Sequence, residues 1–208
     1  MIKIDHVETY GWRPALRGMR NPMNSWNKAD TVFDEYGIPT MGENDLRLAT
    51  SLASAGTDHA KYLRMIVVYA DVAAPLYWWK EFDTYKIGTV ANSCSIMHKI
   101  HAKPFERSDF SHDHLTHYNF DWLDTTIEWL NRERNKFNVS KGKDKEAWWQ
   151  MIQMLPSSYI QKRTLMLNYQ VLKNIYHARC NHKLQEWHDF CDMIRKLPYA
   201  QELIIGER

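Results

Sequence analysis

The chain has 208 residues, 44% hydrophobic and 25% charged, with 27 Lys and Arg against 25 Asp and Glu. That length suits one well-buried domain over residues 1–208, and the balanced charge argues against a nucleic acid polymer as partner. Cys94, Cys180 and Cys191 lack C-x-x-C spacing, no signal-type leader opens the sequence, and no run approaches ~18 apolar residues, so a reducing, cytoplasmic setting away from membranes is expected.

Residues 1–42 carry Gly, Pro and short apolar pieces and form an N-terminal segment of uncertain structure. Its arginines Arg13, Arg17 and Arg20, in GWRPALRGMRNP, read either as a solvated loop or as an arm over an anionic ligand. NDLRLATSLASAG predicts a helix with Asn44 or Asp45 as N-cap, Leu46, Ala49, Leu52 and Ala53 as its apolar face and Gly56 as its stop. The β-branched run 65–72 predicts a buried strand, and Pro75 suits the first turn of a helix through PLYWWKEFDTYK. GTVANSCS (88–95) reads as a small, polar loop able to offer hydroxyls and N–H groups to a phosphate, although it matches no phosphate-loop signature. Cys94, in that loop, is the one plausible thiol nucleophile, whereas Cys180 and Cys191 read as packing residues.

His98, His101, His112, His114 and His117 have spacings at which imidazoles bind zinc. With no cysteine at finger spacing and no H-E-x-x-H, a structural or surface role is favoured and no metal is expected. Leu123, Ile127 and Leu130 mark one face of a helix over 120–135, SKGKDK an exposed connection, and EAWWQMIQML a helix ending before Pro156. Ser158-x-x-Gln161 has the form of a capping box, predicting a helix that runs on through LNYQVLKNIYHAR. Asn181 then caps a last helix with Leu184, Trp187, Cys191 and Ile194 as its stripe. The sum is an α-rich α/β (α+β) domain with its strands in the first half.

On that long helix, taking Asn168 as zero at ~100° per residue puts Arg179 near 20°, on the same arc as Leu172 and Leu165. Desolvating a guanidinium costs several kcal/mol, so a partner is required. A carboxylate in the fold, a carboxylate across a subunit interface, and an anionic or hydrogen-bonding ligand in a cleft all satisfy that requirement.

Here the sequence resembles the flavin-dependent thymidylate synthases. Their C-terminal half carries Leu-Pro, then N-x5-N-x4-R, then a glutamine six residues on. Leu155-Pro156, Asn168, Asn174, Arg179 and Gln185 match without a gap. In the first half Gly56, His59, the strand 65–72 and Ala74-Pro75-Leu76-Tyr77 fall in register, and the similarity spans residues 44–200, the synthase-like core. The family's R-H-R-x-x-S-x-N-x-x-S-x-R-Y is replaced by Thr84 to Met97, in which Lys86 keeps a charge and Thr89 a hydroxyl, while Ile96 stands for the phosphate-facing arginine. Ile152 replaces the arginine before Leu-Pro, and Tyr62-Leu63-Arg64-Met65 replaces Pro-Phe-Glu-His.

The resemblance implies a homotetramer or dimer with shared clefts, acting on a small-molecule nucleotide. It gives Arg179 the pyrimidine-type substrate, helped by Lys86, Thr89, Ser93 and Ser95, and puts His59, Asn168 and Asn174 on the side of an FAD held weakly. The implied reaction is one-carbon transfer and reductive methylation at C5 of a dUMP-like pyrimidine nucleotide, with folate and NADPH required only if that reaction is retained. The flavin carries the chemistry, so no catalytic protein nucleophile is expected. The alternative is an oligomer that keeps the fold and binds a nucleotide or other small ligand without turnover.

Overall fold

Alternating burial, rather than a helical stripe, governs the stretch IQKRTLMLN, and this sets the architecture. In the computed structural model, which describes residues 2–206, Ile160–Asn168 is a strand and the helix that follows is only Tyr169–Arg179. Leu165 and Leu167 are buried while Thr164 is exposed, the period of two that a pleated strand imposes. The expected helix from Ser158 is therefore corrected, as is the expectation that all strands lie in the first half. Gln, Lys, Arg, Leu and Met favour helix by propensity, and pairing within a sheet overrides them here. The Ser158-x-x-Gln161 pattern instead runs from a turn, closed by the Tyr159 N–H donating to the Pro156 carbonyl, into the strand that contains Gln161.

The chain is helix-rich with a small sheet. In order it forms β1 (Lys3–Tyr10), α1 (Trp12–Met19), β2 (Val32–Phe33), β3 (Pro39–Thr40), α2 (Glu43–Ser54), β4 (Val67–Pro75), α3 (Leu76–Phe82) and β5 (Val90–Ser93). Then come α4 (Ile96–Lys99), α5 (His117–Val139), α6 (Lys145–Gln153), β6 (Ile160–Asn168), α7 (Tyr169–Arg179) and α8 (Gln185–Arg195). The four-stranded sheet has the order β1-β4-β6-β5, and β2 pairs with β3 as a short antiparallel ribbon. Among the described residues no helix is long and apolar enough to cross a membrane.

Two compact units result. The larger comprises Ile4–Val72, Tyr85–Ala91 and residues 164–206. Its core holds Trp12, Leu63, Ile66, Val68, Leu165, Leu167, Leu172, Ile175, Trp187, Phe190 and Ile194. Two of the buried aromatics have partners for their polar tips: Trp12 Nε1 donates to Thr9 Oγ1 at 3.0 Å and the Tyr169 hydroxyl to the Pro198 carbonyl at 2.8 Å. The smaller unit comprises Ala73–Thr84 and Asn92–Arg163 with residues 2–3. There α5 and α6 pack around Ile100, Phe105, Phe110, Leu123, Leu130 and Met151.

Several local expectations shift. The N-cap of α2 is Gly42, not Asn44 or Asp45; the orphan N–H groups of Asn44 and Asp45 donate to the carboxylate of Asp30, at 2.8 and 2.9 Å. Asp45 is thereby free to turn inward, where it pairs with Arg20 Nε at 2.7 Å, both side chains almost fully buried. The loop expected over 88–95 is partly strand β5, all four of whose residues are exposed, followed by α4 with Ser95 Oγ accepting the His98 N–H at its N-cap. Leu184, not Asn181, is the N-cap of α8. The strand placed at 65–72 begins two residues later and runs to Pro75.

A polar face on α7 and a ringed arginine at its end

Asn168 sits at the N-cap of α7 rather than inside a helix. Its Oδ1 accepts the Val171 N–H at 3.0 Å, a cap worth about 1 kcal/mol, and its Nδ2 donates to the Gly88 carbonyl at 3.4 Å. Gly88 has φ +77°, and a Cβ there would lie 2.7 Å from Asn168 Nδ2 and 3.2 Å from Val171 Cγ2. Only glycine lets the loop 85–89 approach α7 this closely. Thr89 Oγ1 donates to the Tyr85 carbonyl and closes the loop on itself, leaving the Lys86 side chain exposed.

That loop brings Tyr85 to Arg179. Arg179 Nε donates to the Tyr85 hydroxyl at 3.0 Å, and the guanidinium carbon lies 5.7 Å from the Tyr85 ring centre and 4.9 Å from that of Trp187. The two rings are themselves edge to face, 6.1 Å apart. Arg179 is half-buried, not buried as the single-helix reading required; the arc shared with Asn168 does not exist because Asn168 precedes the helix. A cation in the last turn is also favoured by the helix dipole.

Along another stripe of α7, Gln170, Lys173, Asn174 and His177 recur at helical spacing and line a groove of about 560 Å³ with Ala53 from the end of α2 and Thr57 from the turn after it. Gln170 Nε2 donates to Asn174 Oδ1 at 3.1 Å, while Gln170 Oε1, buried, has no hydrogen-bond partner among the described residues. Lys173 Nζ donates to the Ala53 carbonyl at 2.7 Å, and burial pulls its pKa below the ordinary lysine value. His177 Nε2 lies 3.0 Å from the Ile204 carbonyl, so that nitrogen carries the proton. His59 is exposed in the turn that follows Gly56 and Thr57, its N–H donating to the Gly56 carbonyl.

The structure therefore gathers Asn174 with three polar neighbours that the sequence reading missed, and Arg179 with two aromatic ones. The signal for the first group was available: Gln170, Lys173, Asn174 and His177 form a polar stripe once the helix is started at Tyr169. Tyr85 and Trp187 carried no local signal, because only the fold joins them. Gln185 is exposed and bonds Asp189 at 3.0 Å. In the smaller unit Ser93 is exposed, Ser95 is engaged as a cap, and Cys94 is exposed with its N–H and carbonyl bonded to Lys162 and Gln161. His112 Nδ1 bonds the Phe110 carbonyl and His101 packs on Phe137. Among the described residues no three His, Cys, Asp or Glu side chains gather as a metal site.

No family model and no curated protein matches the chain. Solved structures do. Thymidylate synthase X from Helicobacter pylori, with FAD and dUMP, superposes with a TM-score of 0.69 at 16% identity, covering 98% of this chain and 97% of that one. A second structure of the Helicobacter pylori flavin-dependent enzyme, complexed with FAD and dUMP, gives 0.66 at 17% identity over the same shares. The chain has the fold of the flavin-dependent thymidylate synthases.

Proposed function

We propose that this chain is a divergent flavin-dependent thymidylate synthase-like protein that binds nucleotides along α7 and performs one-carbon transfer with reductive methylation at C5 of a dUMP-like pyrimidine. The observation that carries the reading is Gln170. On a fold shared with a protein solved with FAD and dUMP, this buried amide lines a groove with its acceptor unfilled. An unmet buried acceptor costs about 1–3 kcal/mol, which an N–H of a bound ring would recover. The donor set suits a flavin: Gln170 and Asn174 for a ring edge, and Lys173 for negative charge. A bound flavin would supply the hydride chemistry that no side chain here provides. Arg179, steadied between Tyr85 and Trp187, would donate to the pyrimidine nucleotide, with the exposed Lys86 adding positive charge from the neighbouring loop. Thr89 has spent its proton within that loop, so its oxygen is left as an acceptor only. Ser93, Ser95 and His59 enter by resemblance alone. Folate and NADPH follow only if the full reaction is retained.

A second reading, ligand binding without turnover, is favoured by Ile96 and Ile152. Both occupy positions where the family has arginines, and both pack against the apolar cluster of the smaller unit. On either reading FAD is held more weakly than in an ordinary member. Purified protein that is yellow with stoichiometric flavin would overturn that expectation; calorimetry with dUMP and a folate-dependent turnover assay separate the two readings. The assembly proposed is a homotetramer or dimer, consistent with Tyr118 and Trp122, 84% and 68% exposed one turn apart on α5. Light scattering that gave a monomer at micromolar concentration would remove it.

A further inference from the structure

The arginines of the N-terminal segment build a second cavity, of about 280 Å³, that shares no lining residue with the α7 groove. Arg13, Arg17 and Arg20 recur at helical spacing along α1 and its C-cap, and line the cavity with Leu16, Trp26 and Phe33. Arg20 is 3% exposed. Its Nε donates to Asp45 Oδ1 at 2.7 Å and its Nη1 to the Ser25 carbonyl at 3.2 Å, but Nη2 has no hydrogen-bond partner among the described residues. Asp45 has no oxygen to spare for it: Oδ2 already accepts from the N–H groups of Asp30 and Thr31 and from Thr31 Oγ1, at 3.0, 2.9 and 2.6 Å. A guanidinium nitrogen held in the interior without an acceptor is unfavourable, and a carboxylate or phosphate oxygen would satisfy it with a charge-assisted bond.

The rest of the lining agrees in sign and shape. The lining holds three arginines and one aspartate, and that aspartate is paired with Arg20, so Arg13 and Arg17 leave the wall cationic. The Arg13 guanidinium lies 4.5 Å over the Phe33 ring, which fixes its position. Trp26, half exposed and anchored by Nε1 donating to Asn21 Oδ1 at 2.9 Å, offers a flat face at the mouth. The volume is at the lower limit for ligand pockets, enough for one ring and too small for a dinucleotide. We infer that this cavity is a separate seat for a small planar anion, an aromatic ring bearing a carboxylate or phosphate, with the anionic group on Arg20 Nη2 and Arg17 and the ring against Trp26.

The test follows the indole N–H resonance of Trp26, assigned with Trp26→Phe, during titration with phenyl phosphate, benzoate and neutral benzamide. The inference expects saturable shifts with at least one anion, the two arms telling phosphate from carboxylate. It expects benzamide to bind at least about tenfold more weakly, and Arg17→Gln, an exposed change that spares the buried pair, to weaken the preferred anion by about tenfold or more. No saturation with either anion, benzamide binding equal to theirs, or an Arg17→Gln titration that matches the wild type would each overturn it.

Discussion

Arg20 and Arg179 both end helices of the larger unit, yet the fold uses them in opposite ways. Arg20 is 3% exposed at the wall of its cavity, its Nε bonded to a carboxylate that itself ties down the backbone at Asp30 and Thr31. Arg179 is half-buried and lies against two aromatic rings, one of which it also bonds through the phenol oxygen. The first arrangement ties Nε and Nη1 of a charge into the scaffold and leaves Nη2 for the cavity; the second orients a charge while leaving one side of it near solvent. The spacing argument expects a buried Arg179, which is half-buried; of the N-terminal arginines, read either as a solvated loop or as an arm over an anionic ligand, Arg13 and Arg17 are exposed and Arg20 is buried.

The largest effect should come from breaking the buried pair. Asp45→Ala strands the Arg20 guanidinium and removes the acceptor for Thr31, and is expected to cost about 3–5 kcal/mol in urea denaturation. Gly88→Ala comes next, at about 2 kcal/mol, because the side chain meets a left-handed backbone and the Asn168 amide together. Arg179→Ala should cost about 1–2 kcal/mol in contacts with its rings and weaken dUMP binding at least about tenfold in calorimetry. If Arg179→Ala proved as costly as Asp45→Ala with dUMP binding intact, Arg179 would belong to the scaffold and the contrast would fail.

Two smaller effects sharpen the α7 groove. Gln170→Leu, which removes a buried acceptor that has no partner among the described residues, should leave stability within about 1 kcal/mol or raise it. Lys173 has its pKa lowered by burial, so between that lowered value and the ordinary 10.5 the unfolded chain binds more protons than the folded one. Its contribution to stability therefore rises with pH across that window. The wild-type minus Lys173→Met difference in unfolding free energy should climb through the alkaline range and be flat below it; a difference curve independent of pH would contradict the burial.

How far the sequence carried is clear from particular stretches. Pro75 at the start of α3, the apolar face of α5 and the exposed turn between α5 and α6 were legible, because each depends on local chemistry. The strand Ile160–Asn168 was not: its Gln, Lys, Arg, Leu and Met residues prefer helix, and its place in the sheet order β1-β4-β6-β5 makes it a strand. Once β6 was missed, Asn168 became an interior residue instead of a cap, and the helical wheel drawn from it was misleading. Asp30 capping α2 and Tyr85 meeting Arg179 join residues far apart in the chain, and no local pattern announces either. The resemblance, resting on N-x5-N-x4-R and the segment 56–77, reached the fold where periodicity alone had not.

The central claim is that the polar stripe of α7 is a ligand face, and titration of FAD against wild type and Gln170→Leu tests it most directly. Flavin fluorescence should report saturable binding to the wild type, weaker in Gln170→Leu by about tenfold for the lost ring-edge hydrogen bond, at unchanged folding stability. Equal affinity for FAD in the two proteins, or no binding to either, would contradict it.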